Sequence, residues 1–259
     1  MGGTSGTVRA QHGDNSRVQG VQRIRAEQRE PRDQRVDAAA ARGGGWSLVV
    51  PLKPLALAKS RLADAAGAAR PALALAFALD TVAAALACPL VADVTVVTDD
   101  TTAGARLAEL GAFVVADVPA AGLNAALRYG AQRVRERGAA GVAALNGDLP
   151  ALRPAELSLV LAAAAEAPER AFLADAAGVG TTLLAAGPGT ELAPGFGGAS
   201  RARHLASGAC EITLSGVPSV RRDVDTPDDL RAALALGVGP RTAATCAAYA
   251  AAGQAPGPE

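Results

Sequence analysis

Short apolar runs alternate with longer amphipathic segments from about residue 46 to residue 236. The runs are rich in valine and are bounded by glycine, proline or charged residues, a pattern typical of buried strands. The segments between them are long enough for helices, and two of them end at Gly111 and Gly138, where a helix stop is expected. The pattern predicts strands at 46–52, 94–98, 113–116, 142–145, 171–174, 181–186 and 217–224, and helices at 71–87, 101–110, 123–137, 154–165, 200–206 and from Pro227.

Regular alternation of strands and helices indicates the α/β class. Continuous apolar strands separated by helices form a mostly parallel sheet with helices on both faces. The sequence therefore predicts a single three-layer α/β/α domain over residues 46–236. In such sheets ligands bind beyond the carboxyl ends of the strands, so the residues that follow each strand carry the information on function.

The two ends of the chain lack this alternation. Residues 1–45 are predicted to be a disordered N-terminal extension, or the product of a start codon assigned too far upstream. A basic arm for nucleic acid is the alternative, although acidic residues interleave with its arginines. Residues 237–259 are predicted to be a C-terminal helix followed by a disordered tip. The most apolar stretch, 71–87, contains Asp80 and is predicted to be a buried helix and not a membrane span.

Charge and cysteine usage exclude several classes of protein. The chain has 25 basic and 25 acidic residues, so net charge favours neither a nucleic acid nor a membrane partner. Cys88, Cys210 and Cys246 are widely spaced without a CxxC motif, which favours small buried thiols in a cytoplasmic protein. With two histidines in the chain, a zinc site or a serine triad would depend on His204, which we expect on a helix surface.

Charged residues gather after three of the predicted strands. The first strand is followed by Lys53, Lys59, Ser60 and Arg61, the fourth by Asp148 and the last by Asp225. Lysine and arginine neutralise phosphate oxygens, and Mg²⁺ takes one or two carboxylates plus phosphate and water ligands. The layout therefore predicts a polyphosphate site with magnesium, although a solvated basic loop and a simple turn at Asp148 remain open.

Asp225 is separated from its acidic neighbours by a helix start. Thr226 is placed as N-cap, Pro227 as the first helical residue, and Asp228 and Asp229 in the positively polarised first turn. These two acids are thereby assigned a structural role, and Asp225 is left to project from the predicted strand end.

Six blocks of sequence carry more specific information. They are Val50-Pro-Leu-Lys53-Pro through Ala58-Lys59-Ser60-Arg61-Leu62, Gly122-Leu-Asn124-Ala-Ala-Leu, Asn146-Gly-Asp148-Leu-Pro150-Ala-Leu, Gly178-Val-Gly180-Thr181-Thr182-Leu-Leu, Phe196-Gly197-Gly-Ala-Ser200-Arg201-Ala-Arg203-His204, and Asp223-Val-Asp225-Thr226-Pro227. In this order they resemble the 2-phospholactate / phosphoenolpyruvate guanylyltransferase family of coenzyme F(420) biosynthesis. The resemblance covers essentially all of residues 46–236.

The resemblance implies a fold and a reaction. The fold would be similar to that of the molybdenum-cofactor nucleotidyltransferases, a nucleotide-diphospho-sugar transferase-like variant of the Rossmann sheet. The reaction would transfer GMP from GTP to phosphoenolpyruvate or 2-phospho-L-lactate and release pyrophosphate, and its product would pass to a downstream deazaflavin-transferring enzyme. A related enzyme with a sugar phosphate or molybdopterin acceptor is one alternative, and a non-catalytic nucleotide sensor is another.

The same resemblance implies roles for individual residues. Asp148 and Asp225 match the aspartates that bind Mg²⁺, and Lys53 and Lys59 would stabilise the charge on departing pyrophosphate. The GTP side would comprise Lys53, Lys59, Ser60, Arg61, Gly122 and Asn124. The phosphoenolpyruvate side would comprise Thr181 or Thr182, Gly197 and Ser200, with Arg201 or Arg203 near the acceptor carboxylate.

One block departs from the wider superfamily. The phosphate loop of that superfamily begins Leu-Ala-Gly-Gly, whereas this chain has Val-Pro-Leu-Lys-Pro at residues 50–54. Without those glycines, fewer backbone NH groups can wrap the phosphates, so side chains are expected to supply more of the contacts.

Overall fold

A computed structural model describes residues 1–2, 45–62 and 67–253. Most of the N-terminal extension predicted at 1–45, and the end of the C-terminal segment predicted at 237–259, lie outside these ranges. The strands are β1 Trp46–Pro51, β2 Val91–Val97, β3 Phe113–Val115, β4 Gly141–Leu145, β5 Arg170–Ala174, β6 Thr181–Ala186 and β7 Cys210–Glu211. The helices are α1 Arg70–Leu86, α2 Thr101–Glu109, α3 Leu123–Glu136, α4 Pro154–Ala165, α5 Ser200–Ala206, α6 Pro218–Arg221, α7 Pro227–Leu236 and α8 Pro240–Gly253.

The strands form one seven-stranded sheet in the described part of the chain, in the order β3-β2-β1-β4-β6-β5-β7. Strands β1, β2, β3 and β4 are parallel, whereas β6 runs antiparallel to both β4 and β5. The short edge strand β7 is parallel to β5. The predicted α/β class with a mostly parallel sheet is confirmed.

Strand alternation divides the core between the two faces of the sheet. Leu48 and Val50 of β1 point to the face covered by α1 and α4, and Val49 points to the face covered by α3. Helix α3 lies very close to the sheet at Gly130, where a Cβ atom would be 2.4 Å from Val49 Cγ1. A side chain at that position would push the helix away and open the core.

The amino end of β1 is covered by the only tryptophan of the chain. Trp46 is 9% exposed, and its ring lies beside Gly141 at the start of β4. A Cβ atom on Gly141 would be 2.9 Å from the Trp46 ring, so glycine is required for this contact.

The prediction of a strand at 217–224 is wrong. Residues 218–221 form the short helix α6, and the additional strand of the sheet is β7 at Cys210–Glu211. Pro218 supplies the first helical position, and Ser219 donates from its backbone N and its hydroxyl to Glu156 Oε2, each at 2.8 Å. Val217 and Val220 are buried three residues apart, which is the helical spacing.

Helix α1 is long and apolar enough to pass a length test for a membrane span when the preceding turn is included, since Gly67–Leu86 has a mean hydropathy of 1.5. Core helices of α/β domains pass the same test. Phe77 and Val82 of this helix are completely buried within the fold, in agreement with the predicted buried helix.

Asp80 of α1 is buried because it anchors the C-terminal helix. Its carboxylate accepts hydrogen bonds from Thr242 N at 2.7 Å and Arg241 N at 3.3 Å, at the start of α8. An acidic side chain at a helix N-terminus satisfies backbone NH groups that have no partner within the helix.

The cysteines are free thiols. Cys88 is buried and Cys246 is partly buried, but Cys210 is exposed on β7, so the expectation of three buried cysteines is wrong for that residue.

Candidate active site

A cavity of about 670 Å³ opens at the carboxyl ends of β1 and β4, beside the start of β6. This is the position at which ligands bind in open α/β sheets. Most of the residues predicted from the sequence line it: Lys53, Lys59, Ser60, Arg61, Asp148, Thr181, Gly197, Ser200 and Asp225. Gly122, Asn124 and Thr182 are not among the lining residues.

The basic loop after β1 is held from two neighbouring elements. Asp100 Oδ2 accepts from Leu55 N at 2.8 Å, and Asp100 Oδ1 caps helix α2. These backbone hydrogen bonds lower the pKa of Asp100. On the other side, Arg70 at the start of α1 donates to the carbonyl oxygens of Ala56, at 2.8 Å, and Ala58. The backbone of residues 55–58 is therefore held from both sides.

Lys59 connects the two predicted metal-binding aspartates. Its Nζ donates to Asp148 Oδ2 and, at 2.8 Å, to Asp225 Oδ1. The Lys59 side chain is 11% exposed, against 22% for Asp148 and 53% for Asp225. Burial alone would lower the pKa of Lys59, but attraction to the two carboxylates outweighs it and raises that pKa above its ordinary value.

The backbone of Lys59 is unusual. Its φ of 56° lies in the left-handed region, which non-glycine residues rarely adopt. Strain of about 1–3 kcal/mol at such a position persists when surrounding contacts hold the residue in place. The two carboxylates and the Arg70 hydrogen bond to the neighbouring carbonyl of Ala58 provide those contacts.

Asp148 and Asp225 are brought together by backbone hydrogen bonds and not by two parallel strands. Asp225 was expected at a strand end, but it lies in the loop between α6 and α7. Val224 N donates to Asp148 O at 3.1 Å, which joins this loop to the turn after β4. The turn is also held by Thr81 of α1, whose hydroxyl accepts from Leu149 N at 3.0 Å.

The predicted helix start after Asp225 is confirmed. Thr226 caps α7, and the Asp229 carboxylate accepts from Thr226 N at 2.9 Å to complete a capping box. Asp229 is therefore committed to the helix, and Asp225 faces Lys59.

Two further carboxylates lie at the site and were not singled out from the sequence. Asp223 and Asp175 both line the cavity. Burial, with repulsion from Asp148, Asp225 and Asp175, raises the pKa of Asp223 to about 7. Asp223 is two residues from Asp225 in an Asp-x-Asp pattern, and that spacing was the signal that could have identified it.

The pair of carboxylates fits a hard divalent cation. Asp148 Oδ1 is buried and has no hydrogen-bond partner among the described residues, so this oxygen is available to a cation. The described residues contain no group of three or more His, Cys, Asp or Glu side chains placed around a metal. A site with two carboxylates is nevertheless what Mg²⁺ uses when substrate phosphates and water complete its coordination.

A second wall of the cavity is formed by the start of β6 and the 195–200 loop. Thr181 begins β6 and lines the cavity, whereas Thr182 is completely buried and does not line it. Access to the cavity therefore distinguishes two threonines that the sequence left equivalent. Gly197 and Ser200 line the same wall.

Asn124 supports this wall from α3. Its side chain accepts from Phe196 N at 2.8 Å and donates to Phe196 O at 3.1 Å. Gly122 precedes α3 as its N-cap residue. The structure thus places Asn124 against the 195–200 loop and not in the cavity, where the sequence expectation put it.

The expectation that His204 lies on a helix surface is wrong. His204 is 1% exposed, and its ring packs against those of Phe172 and Phe196 at centroid distances of 5.5 and 5.2 Å. Burial, with smaller effects from Arg203 and Arg170, lowers the pKa of His204 to about 4. The imidazole is therefore neutral at physiological pH.

The two arginines of α5 are engaged elsewhere. Arg201 forms a bidentate ion pair with Glu211, with distances of 2.8 and 2.9 Å, and Arg203 Nε donates to Gly195 O at 2.9 Å. Neither of them lines the cavity, so the expected contact of Arg201 or Arg203 with an acceptor carboxylate has no support in the structure.

A basic loop beside two aspartates at this edge of an α/β sheet is typical of nucleotidyltransferases. Residues 74–209 match the family model of the MobA-like NTP transferase domain. The chain belongs to the phosphoenolpyruvate guanylyltransferase family. It is 69% identical over 211 residues to the phosphoenolpyruvate guanylyltransferase of Streptomyces coelicolor, covering 81% of this chain and 99% of that protein. It is 70% identical over 204 residues to that of Streptomyces avermitilis, covering 78% and 94%.

Solved structures support the fold. A nucleotidyl transferase from Methanothermobacter is 23% identical with a TM-score of 0.53, and the match covers 75% of this chain and 98% of that one. Rv0371c from Mycobacterium tuberculosis is 26% identical with a TM-score of 0.50, covering 74% and 98%. The expected nucleotidyltransferase fold is therefore confirmed.

Proposed function

We propose that this enzyme transfers GMP from GTP to phosphoenolpyruvate, with release of pyrophosphate. The product would be enolpyruvoyl-2-diphospho-5'-guanosine, the GMP-activated intermediate of coenzyme F(420) biosynthesis. The relatives named phosphoenolpyruvate guanylyltransferase support this choice of substrates. The structural observation that carries the proposal is the contact of Lys59 with both Asp148 and Asp225, in a cavity that the neutral residues Thr181, Gly197 and Ser200 also line.

The acceptor supplies its own nucleophile. A phosphate oxygen of phosphoenolpyruvate attacks the α-phosphorus of GTP, and the bond from that phosphorus to the bridging oxygen of pyrophosphate breaks. A phosphate monoester has a second pKa of about 6, so the acceptor is already largely dianionic at neutral pH. No side chain has to remove a proton, and the buried neutral His204 is not needed as a base.

The main barrier is the meeting of two polyanions. Lys59, Asp148 and Asp225 form what we call the charged wall, with Lys59 between the two carboxylates. Lys53, Ser60 and Arg61 line the cavity from the same loop as Lys59. We assign these side chains to the phosphates of GTP and to the charge that grows on the leaving pyrophosphate.

Asp148 and Asp225 would hold Mg²⁺. When bound, the cation offsets the negative charge of the phosphates and aligns them for in-line displacement. Lys59 binds one oxygen of each carboxylate, Asp148 Oδ2 and Asp225 Oδ1, so the cation would share both carboxylates with the ammonium group.

The acceptor is assigned to the second wall, which we call the neutral wall and which comprises Thr181 and the 195–200 loop. The hydroxyls of Thr181 and Ser200 and the backbone of Gly197 line it. These neutral groups can donate hydrogen bonds to phosphate or carboxylate oxygens without adding charge. Thr182 is left out of this assignment because its side chain is completely buried and does not line the cavity.

The test follows pyrophosphate release by purified protein with GTP and magnesium, with phosphoenolpyruvate and 2-phospho-L-lactate compared at limiting concentration. The expected result is turnover with phosphoenolpyruvate and a product of the mass of the GMP adduct. Absence of release with either acceptor, while the downstream deazaflavin-transferring enzyme is present to consume the product, contradicts the proposal. ATP and CTP in place of GTP serve as nucleotide controls.

The cellular setting follows from the proposed pathway. The enzyme would act in the cytoplasm, where GTP and phosphoenolpyruvate are available, and would supply its product to that downstream enzyme. Neither a nucleic acid nor a membrane partner is part of this proposal.

A further inference from the structure

His204 bonds to both segments of the neutral wall. Its Nδ1 is 2.9 Å from Thr181 Oγ1, and its Nε2 accepts a hydrogen bond from Gly195 N at 3.0 Å. Thr181 begins β6, and Gly195 lies in the loop that contains Gly197. The imidazole itself does not line the cavity, so it acts from behind the wall.

The tautomer of His204 follows from the Gly195 bond. A backbone N–H can only donate, so Nε2 must carry a lone pair and no proton. The neutral imidazole has one proton, which is therefore on Nδ1. Nδ1–H then donates to Thr181 Oγ1, and the threonine oxygen is the acceptor in this pair.

We infer that His204 is a positioning residue that forces the Thr181 hydroxyl to donate its proton into the cavity. This inference rests on the proposed function, in which Thr181 binds the phospho-acid acceptor. A threonine hydroxyl can donate or accept, and an anion is bound only by a donor. Because Nδ1–H already uses a lone pair of Thr181 Oγ1, the hydroxyl proton is left for an acceptor oxygen in the cavity.

The burial of His204 makes this orientation permanent. The ring is enclosed by Phe172 and Phe196, and the nearby positive charges of Arg203 and Arg170 disfavour a second proton on it. A doubly protonated ring would lose the bond from Gly195 N, since both nitrogens would then be donors. The site thus carries a fixed donor at Thr181 across the physiological pH range.

The tautomer can be measured without any turnover. The chain contains two histidines, His12 and His204, so a two-bond ¹H–¹⁵N spectrum of the imidazoles is readily assigned with His204→Phe as reference. The expected spectrum has a protonated nitrogen at Nδ1 and an unprotonated one at Nε2 of His204. The opposite tautomer, or averaging between the two, overturns the inference.

Three substitutions separate the two bonds of the ring. His204→Phe keeps the ring shape and removes both bonds, His204→Asn keeps a donor near the position of Nδ1, and His204→Gln keeps an acceptor near that of Nε2. The expected result is a rise of about 10-fold in the KM for phosphoenolpyruvate with Phe and Gln, but less than about 3-fold with Asn, since one hydrogen bond to a charged group is lost. The KM for GTP should not change in any of them.

A double substitution identifies the route of the effect. If His204 acts through the Thr181 hydroxyl, His204→Phe should add nothing to Thr181→Val, because the hydroxyl that it orients is already absent. Additive effects overturn the inference. The inference is also overturned if His204→Gln has the wild-type KM for phosphoenolpyruvate and His204→Asn does not. In that case the ring would serve only to hold Gly195.

Failure of the proposed function gives a different result. In that case the wild-type enzyme releases no pyrophosphate with phosphoenolpyruvate, and no acceptor KM exists to compare. Failure of the inference alone leaves wild-type turnover intact, with an unchanged acceptor KM in His204→Phe or with equal losses and lowered thermal stability in all three variants.

Discussion

The two walls of the cavity are held together by different forces. On one wall, Lys59 is bound by charge to Asp148 and Asp225. On the other, Thr181 and the 195–200 loop are held by hydrogen bonds between neutral groups, through His204 and Asn124. This difference indicates which wall rearranges when the nucleotide binds.

A charged wall can exchange its partners. Phosphates and a divalent cation offer Lys59 and the carboxylates the same kind of interaction that they now make with one another. A neutral wall has no such substitute partners, and its donors and acceptors are fixed by burial. The charged wall is therefore expected to reorganise when the nucleotide binds, and the neutral wall to receive the acceptor without change.

The largest effect on turnover is expected from a substitution in the charged wall. Asp148→Asn keeps the size of the side chain and removes its charge, so turnover should fall by about 10³-fold, which corresponds to several kcal/mol of lost metal-assisted stabilisation. Pyrophosphate release measures it. Asp228→Asn, at an exposed carboxylate in the first turn of α7, is the matched control and should leave the rate unchanged. Retention of a tenth of the turnover in Asp148→Asn would contradict the metal assignment.

The second prediction tests the neutral wall by its pH dependence. His204 has an ordinary pKa of 6.5 that falls to about 4 in the folded protein, so the unfolded chain binds the extra proton first as the pH decreases. The stability contributed by the neutral ring is complete above pH 6.5 and is lost as the pH falls from 6.5 to 4, by about 3 kcal/mol. His204→Phe should lack this loss.

The measurement is the difference in free energy of unfolding between wild type and His204→Phe at each pH. The difference is required because Asp223, whose pKa is raised to about 7, changes stability in the opposite direction over the same range. Its contribution is common to both proteins and cancels. A difference that is constant with pH would show that His204 is not held neutral.

The third prediction concerns Asn124, which the family resemblance assigns to the GTP side and the structure places against the 195–200 loop. Asn124→Ala removes both hydrogen bonds to Phe196, so the 195–200 loop should loosen and the KM for phosphoenolpyruvate should rise by about 10-fold. The KM for GTP should stay the same. A rise in the KM for GTP alone would restore the role on the nucleotide side that the family resemblance implied.

The smallest expected effect is on the coupling of magnesium to stability. In Lys59→Met the two carboxylates lose their ammonium partner, so about 10 mM magnesium should raise the Tm more than in wild type, by an additional 2–4 °C or roughly 1 kcal/mol. Lys53→Met, on the same loop but at a lysine with no ion pair among the described residues, is the control. An equal response in all three proteins would mean that the cation does not compete with Lys59.

The regular part of the fold could be predicted from the sequence. Predicted and observed strand and helix bounds agree within a few residues from β1 to α5, because apolar periodicity and glycine stops report local structure directly. The helix start at Thr226 was predicted for the same reason, since it depends only on residues within one turn.

The segment 217–224 was misread because valine favours strands in the absence of other information. Val217, Val220 and Val224 are spaced by three and four residues, which fits a helix better than a strand, and Pro218 can begin a helix without losing a hydrogen bond. Asp225 still lies near Asp148, because Val224 N donates to Asp148 O and both carboxylates bind Lys59.

The environment of His204 could not be predicted because it is assembled from distant residues. Phe172 comes from β5, Phe196 from the loop before α5, and Thr181 from β6. Nothing in the local pattern of the short helix α5 identifies its buried face. The relation between Asn124 and Phe196, which are 72 residues apart, was hidden for the same reason.

The position of Trp46 has a practical consequence for fluorescence measurements. It is the sole tryptophan and lies at the amino end of β1, whereas the cavity opens at the carboxyl end, about 16 Å further along the strand. Its emission should change when the protein unfolds and the packing against Gly141 is lost. It should not change when a nucleotide binds at the other end of the sheet. Unfolding curves recorded from this one intrinsic fluorophore can therefore be compared directly between the unliganded and the substrate-saturated enzyme.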